Sequence, residues 1–400
     1  MRETFLGKKD SKNNLLKKTI LRICIEQGEQ SIASFSEELN ASVPTVTKLI
    51  GELMDEGFIV ELGKWGTSGG RRPSIYGLNP DAGVFVGVDI RNSHASISFT
   101  DFKGNPLAFD DNIPFVMERK EESVHRISKA VRDYAEMKGI DWDRILGMGI
   151  SLAGRVNCKT GYSNKFSFDP DRPINKILEE DLMIPVIIEN DSRAMTYGEY
   201  LAGVVEGEKN VIFVNVSWGL GMGLIMNGQL FYGTSGYSGE FGHFPLLDND
   251  IICRCGKVGC LETGASGSAL VRMVTEQLKA GRASSLSKIY RKEGKITIQD
   301  IFNAISEEDV LAIDTLGEIG NNLGRGLAGL INVFNPELVV IGGKMVVAGD
   351  YLMLPVKTTM KKFAQNIAIQ DTNIKFSSLR GEAASRGDCL LSRSHLLGVL

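Results

Sequence analysis

His243, Cys253, Cys255 and Cys260 lie within eighteen residues of one another and include half of the chain's six cysteines. Three thiolates and an imidazole this close, with glycines between them that let the chain fold back, make the donor set of a closed tetrahedral zinc site, normally a structural one. The plainer alternative is three reduced cysteines in a turn beside a core histidine. Glu240 and Glu262 flank the cluster. A loop made rigid by metal would hold both carboxylates where they accept hydrogen bonds from a polyhydroxylated ligand. Asn190 and Asp191 follow the apolar stretch 185–189, and side chains at the end of such a strand face a ligand crevice in α/β folds. A carboxylate there is placed to deprotonate a hydroxyl. Capping of the following helix is the alternative role for the same pair.

The N-terminal stretch has different chemistry. Apolar residues at helical spacing over 15–25 predict a first helix, and Ile32 to Leu39 predict a second, with a glutamate at capping-box offset from Ser34 or nearby. A third helix begins near Val43 and has Pro44 in its first turn. Val46, Leu49, Ile50 and Leu53 form its inner face, and Pro44, Thr45, Thr47 and Lys48 lie on or near the polar face. Two short helices joined by a tight turn match a helix-turn-helix whose second helix enters the major groove. Stretches 57–63 and 74–78 read as strands around a tip that carries Arg71 and Arg72, a wing suited to phosphate or minor-groove contact. Before residue 26 seven basic side chains face only two acidic ones, so this end is locally basic.

The elements that must position these groups follow in an alternating series. Strands at 84–90 and 95–100, a helix at 121–138, strands at 145–151 and 185–189 and a helix at 192–202 give an α/β pattern. Strands at 211–216 and 221–226 and a largely helical stretch up to 335 complete it, together with a buried strand at 339–343. Four hundred residues with 43% hydrophobic content and a net charge of −4 supply a large core and give no reason for a nucleic-acid coat over the whole chain. Without a bilayer-length apolar run or a signal-peptide pattern, and with Cys24, Cys158 and Cys389 scattered, a cytoplasmic location is expected.

Glu240-Phe241-Gly242-His243, followed by Cys253-Arg254-Cys255-Gly256-Lys257-Val258-Gly259-Cys260-Leu261-Glu262, resembles the signature of the ROK family, named for repressors, open reading frames and kinases. The resemblance implies an N-terminal winged helix-turn-helix at 1–80 and, at 81–400, an actin-like sugar-kinase ATPase fold of two α/β lobes around a cleft. The first lobe would hold 81–190 and a C-terminal helix at 383–400, the second 191–382. It implies that His243, Cys253, Cys255 and Cys260 bind structural Zn2+. It also implies that Gly154, Arg155, Asn190, Asp191, Glu240, His243 and Glu262 contact a sugar, with Asp191 as general base in the family's kinases. Ser68-Gly69-Gly70-Arg71-Arg72-Pro73 resembles the wing of its repressor branch, which binds double-stranded operator DNA as a dimer or tetramer. On DNA such a protein would be associated with the nucleoid.

The nucleotide half departs from the family pattern. Where the kinases carry Asp-x-Gly-Gly-Thr, this chain has Asp89-Ile90-Arg91-Asn92-Ser93, and Trp218 stands in the second phosphate loop beside Gly219 and Gly221. Gly342 and Gly343 of the third element are kept, although a strand-to-helix turn needs glycine for its own reasons. These losses argue against ATP with Mg2+ as a cofactor. They favour a sugar-responsive transcriptional repressor over an ATP-dependent sugar kinase that retains a DNA-binding domain.

Overall fold

The computed structural model describes residues 11–64 and 73–399. The chain divides into two units, one formed by residues 1–201 with 384–400, the other by 202–383.

The first unit begins with three helices, each started by a serine whose side chain accepts a backbone N–H three residues on. They are α1 (Lys12–Gln27, capped by Ser11), α2 (Ile32–Glu38, capped by Ser31) and α3 (Val43–Asp55, capped by Ser42). The cap of α2 is thus Ser31, not Ser34. The residue three places beyond Ser31 is Ser34 itself, so no glutamate closes a capping box there. Between α1 and α2 lies a short strand β1 (Gln30–Ser31), and after α3 come β2 (Ile59–Lys64) and β3 (Ser74–Leu78), in the order β1-β3-β2. Val46, Leu49, Ile50 and Leu53 of α3 are buried against Ile20, Leu21 and Phe35. Lys17 of α1, almost fully buried, reaches Glu52 at 2.9 Å and Glu56 at 2.8 Å and ties α1 to the end of α3. Arg71 and Arg72 at the wing tip lie outside the described residues.

Next comes a five-stranded sheet. Its strands are β4 (Val84–Ile90), β5 (His94–Asp101), β6 (Pro106–Pro114), β7 (Ile145–Leu152) and, after the short pair β8 (Val156–Asn157) and β9 (Tyr162–Ser163), β10 (Val186–Asn190). The order is β10-β7-β4-β5-β6, with β10, β7 and β4 parallel and β4-β5-β6 antiparallel. Helix α4 (Glu121–Met137) precedes β7, α5 (Ile174–Leu182) precedes β10, and α6 (Asp191–Ala202) starts directly from the end of β10. The winged helix is not a separate bead on this sheet. Phe85 of β4 and Phe102 after β5 belong to the same apolar cluster as Ile20, Phe35 and Phe58, and the Phe58 and Phe102 rings lie 5.4 Å apart.

The second unit repeats that topology. Strands β11 (Val211–Val216), β12 (Leu220–Met226), β13 (Gln229–Leu230), β14 (Leu338–Gly342) and β15 (Asn373–Phe376) pair in the order β13-β12-β11-β14-β15. Here too a hairpin-linked antiparallel run joins a parallel one at the first strand. Helices α7 (Gly267–Lys279), α8 (Ser287–Glu293), α9 (Ile298–Ser306) and the 25-residue α10 (Val310–Phe334) fill the segment before β14. Helices α11 (Asp350–Phe363) and α12 (Asn366–Gln370) follow it. The last helix, α13 (Ala383–Leu396), returns to the first unit. Its Cys389, with Leu397 just beyond the helix, enters the winged-helix cluster, and Gly87 and Gly149 make room for its backbone. Among the described residues no helix is long and apolar enough to cross a membrane.

Candidate metal centre and carboxylate sites

The long loop between β13 and α7 carries the cysteines. Cys253 N–H donates to the Lys257 carbonyl and Gly256 N–H to the Cys253 carbonyl, both at 2.8 Å, which closes a tight turn. Gly259 holds a positive φ of 73°, and a Cβ there would lie 2.8 Å from the Leu247 carbonyl, so only glycine allows the two limbs of the loop to zip together. As a result the ligand atoms of His243, Cys253, Cys255 and Cys260 all lie within 4.8 Å of one another. Cys253 Sγ is 3.6 Å from His243 Nδ1, and Cys255 Sγ is 3.6 Å from Cys260 Sγ. Burial and the neighbouring cysteines push the Cys260 thiol up to about 12, and burial raises Cys253 too. Thiolates so crowded need a cation to hold their charge, and this donor set fits a tetrahedral metal ion.

The other ring nitrogen, His243 Nε2, lies 3.6 Å from Glu240 Oε2, the placement of a carboxylate that orients a ligating imidazole. Glu262, mostly buried, accepts the Leu220 N–H at 2.9 Å and faces Arg254 at 3.5 Å. Gly219 has a local reason for being glycine: a Cβ there would stand 2.7 Å from Glu262 Oε2. Gly343 is confined likewise by Asn215, Ser217 and the Val216 carbonyl, and Gly342 by the Phe213 ring. The Ser217 and Trp218 carbonyls accept the Gly267 and Ser268 N–H groups at the start of α7, at 2.8 and 3.0 Å, so these two helix-end donors are already used. Their close neighbours give Gly342 and Gly343 packing reasons of their own.

In the first unit Asn190 fills the capping role its sequence allows. Its Oδ1 accepts the Ser192 and Arg193 N–H groups at 3.0 and 3.2 Å, capping α6, while its Nδ2 donates to the Gly154 carbonyl at 2.9 Å and to Asp191 Oδ1 at 2.9 Å. Gly154, at a φ of 97°, and Arg155 therefore sit on a turn tied to the helix start. Burial and the negative charge of Asp89 push Asp191 up to about 6. Four side chains that the sequence reading did not use, Glu189, Arg193, Ser151 and Asp388, lie near this pair. Glu189 and Arg193, both almost fully buried, pair at 2.7 Å, and Arg193 also donates to the Val156 carbonyl at 3.1 Å. Asp89, Ser151 and Glu189 stand level across β4, β7 and β10, and Ser151 donates to Asp388 of α13 at 2.7 Å. Arg91 answers Asp89 and Arg193 answers Glu189. For Asp388, burial and the charges of those two carboxylates raise the carboxyl well above its usual range. Glu189 at the end of β10 and Arg193 in the first turn of α6 flank Asn190-Asp191 and bridge strand to helix.

On α3 the side chains of Pro44, Thr45, Thr47 and Lys48 are exposed. The hydroxyl of Thr45 pairs with Ser42 at 2.8 Å, and that of Thr47 donates to the Val43 carbonyl.

The ROK family model matches residues 85–395, which include both sites and both five-stranded sheets. The chain belongs to the ROK family. This ROK chain is 28% identical over 388 residues to the xylose repressor of Bacillus subtilis, with 96% of each chain covered. It is 26% identical over 405 residues to the DNA-binding transcriptional dual regulator NagC of Escherichia coli, covering 99% of this chain and 96% of that one. Among solved structures it is similar to a ROK family transcriptional regulator described as a homolog of the E. coli MLC protein, with a TM-score of 0.82, 25% identity and 97% of each chain covered. In these relatives the likeness takes in the N-terminal winged helix as well as the ROK portion.

Proposed function

We propose that this protein is a sugar-responsive transcriptional repressor. The observation that carries the reading is the winged helix, which offers an exposed α3 face and shares one apolar cluster with the first sheet of the ROK portion. Full-length similarity to the B. subtilis xylose repressor and to NagC supports it. In this reading Pro44, Thr45, Thr47 and Lys48 face the major groove of operator DNA, and Arg71 and Arg72 supply wing contacts to phosphate or the minor groove. Gly154, Arg155, Asn190, Asp191, Glu240, His243 and Glu262 are the residues proposed to contact the sugar.

The metal is zinc, held by His243, Cys253, Cys255 and Cys260, a set with no open position that stiffens the loop bearing Glu240 and Glu262. Regulation is linkage. If sugar favours a state in which two winged helices no longer match adjacent half-sites, sugar weakens operator binding by the same factor by which operator weakens sugar binding. A coupling of about 3 kcal/mol corresponds to roughly 150-fold.

The second reading, an ATP-dependent sugar kinase, is supported by Asp191, a carboxylate at a strand end that burial and Asp89 push up to about 6, as would suit a general base. One experiment separates the two. Binding to operator-region DNA is measured with a panel of monosaccharides, beside ATP consumption on the same panel. Release of DNA by one sugar without ATP turnover is the expected result, and sugar-dependent ATP turnover would replace the repressor by the kinase.

A further inference from the structure

The face of the first sheet that α13 covers changes character along its strands. In one row Ser96, Asp89, Ser151 and Glu189 stand level on β5, β4, β7 and β10, at the end where Asn190 and Asp191 follow. The next row holds Ser98, Gly87 and Gly149, and the one beyond it Thr100 and Phe85. Helix α13 touches all three. Asp388 accepts the Ser151 hydroxyl at 2.7 Å, Ser385 pairs with Ser98 at 2.7 Å, and the Cys389 thiol donates to the Phe85 carbonyl at 3.5 Å. In the middle row the contact is backbone to backbone. A Cβ at Gly87, Gly149 or Gly387 would run into the carbonyl of Ser385, Asp388 or Ala194 respectively. No apolar knob interlocks at these points, and a helix seated in this way can shift slightly without breaking an interdigitated core. Ser96 Oγ, Thr100 Oγ1 and Asp388 Oδ1 are buried on this face without a hydrogen-bond partner among the described residues. Buried polar groups are ordinarily paired, so this seating of α13 leaves unused hydroxyls on both sides of Ser98.

We propose that α13 has two seatings and relays occupancy of the sugar site to the winged helix. Coupling between distant sites needs an element with two arrangements that both sites bias. At one end α6, which starts at Asp191, meets α13 through Ala194 against Gly387 and through Tyr197, whose hydroxyl donates to Ser394 at 2.8 Å. Ser151 ties β7 to Asp388 beside the same site. At the other end Arg393 donates to the Phe102 and Lys103 carbonyls, and Cys389 and Leu397 enter the cluster that seats α1 and α3. A ligand that alters the start of α6 thus moves groups on which α13 rests, and α13 moves groups on which the DNA-binding helices are packed. A helix that merely braced the fold would make the same contacts, but bracing gives no reason for the unused hydroxyls that flank Ser98. The inference rests on the repressor reading for its ligand, while the link from Ser151 to the winged helix is tested without ligand or DNA.

Hydrogen exchange of the full chain, read by mass spectrometry, tests the relay in two arms. Without ligand, Ser151→Ala and Asp388→Ala should each speed exchange about tenfold in α13 and in residues 12–55, as loss of a local restraint does. Helix α4, which packs on the opposite face of the sheet through Tyr134 on Phe99, should not change. Asp388→Asn, which still accepts from Ser151, should stay close to wild type. Faster exchange in α13 alone would overturn the relay, and faster exchange in α4 as well would reduce the tie to a brace. The second arm adds a monosaccharide panel that includes D-xylose, D-glucose and N-acetyl-D-glucosamine. A sugar that binds should change exchange in 12–55 of the wild type. It should bind Ser151→Ala within about twofold of wild type, as independent sites do, yet leave 12–55 of that variant as it was. Bound sugar with no change in wild-type 12–55, or with the full change in Ser151→Ala, would also overturn the relay. If no sugar of the panel binds, the sugar-responsive reading fails, and the ligand-free arm still decides whether Ser151 and Asp388 reach the winged helix.

Discussion

Arg91 Nε lies 2.6 Å from Asp89 Oδ2, so the turn after the first strand of the ROK portion is closed by an ion pair of its own. The Asp89 carboxylate is nearly buried and the guanidinium is about three-quarters covered. Arg91→Ala leaves Asp89 charged beside Asp191 and should cost about 2 kcal/mol, the order of a hydrogen bond to a charged group. Urea unfolding measures the cost, and Arg91→Lys should recover part of it.

If Asp191 contacts the sugar as proposed, sugar binding should depend on pH. With its carboxyl up at about 6, the ionised form that accepts hydroxyl protons dominates above pH 6 and is lost below it. Sugar affinity should therefore fall about tenfold between pH 7 and pH 5, and Asp191→Asn should flatten that profile in a calorimetric titration. The stability linkage has the opposite sense. The folded state holds this proton more tightly than an unfolded chain does, so the group's contribution to stability is full below pH 4 and declines as pH rises to 6.

Arg193 positions the turn that offers Gly154 and Arg155. Arg193→Met would leave Glu189 buried without its cation and free the Val156 carbonyl, at a cost of about 3–5 kcal/mol. Combining it with Glu189→Gln should return much of the stability, since no unpaired charge is then buried, while sugar affinity stays low. Thermal unfolding and sugar titration of the double variant separate these two effects.

The cysteine loop should carry about one zinc ion per chain, as its four donors require. Cys255→Ser should release it, measured by metal analysis, and should weaken sugar binding through the loop that bears Glu240 and Glu262. Full sugar affinity in a metal-free Cys255→Ser protein would contradict the arrangement.

Much of this protein is local enough to read from its sequence. The metal donors fall within eighteen residues with glycines at the bends, so their chemistry and spacing already imply convergence, and the four ligand atoms do converge. The third helix is legible for the same reason, because an early proline and an apolar stripe are local signals, whereas the cap of the second helix is Ser31 and not the expected Ser34. Tertiary structure decided what depends on residues far apart. Gly219 faces Glu262, 43 places on, and the Ser151 hydroxyl serves Asp388, 237 residues away. The two sheets share one strand order without a repeat in residue identity, since a topology is fixed by which edges pair and not by which apolar side chains fill them. The same holds for the cluster that joins Phe58 to Phe102 and Leu397: each is merely apolar in sequence, and only packing makes the DNA-binding element and the first ROK sheet one body.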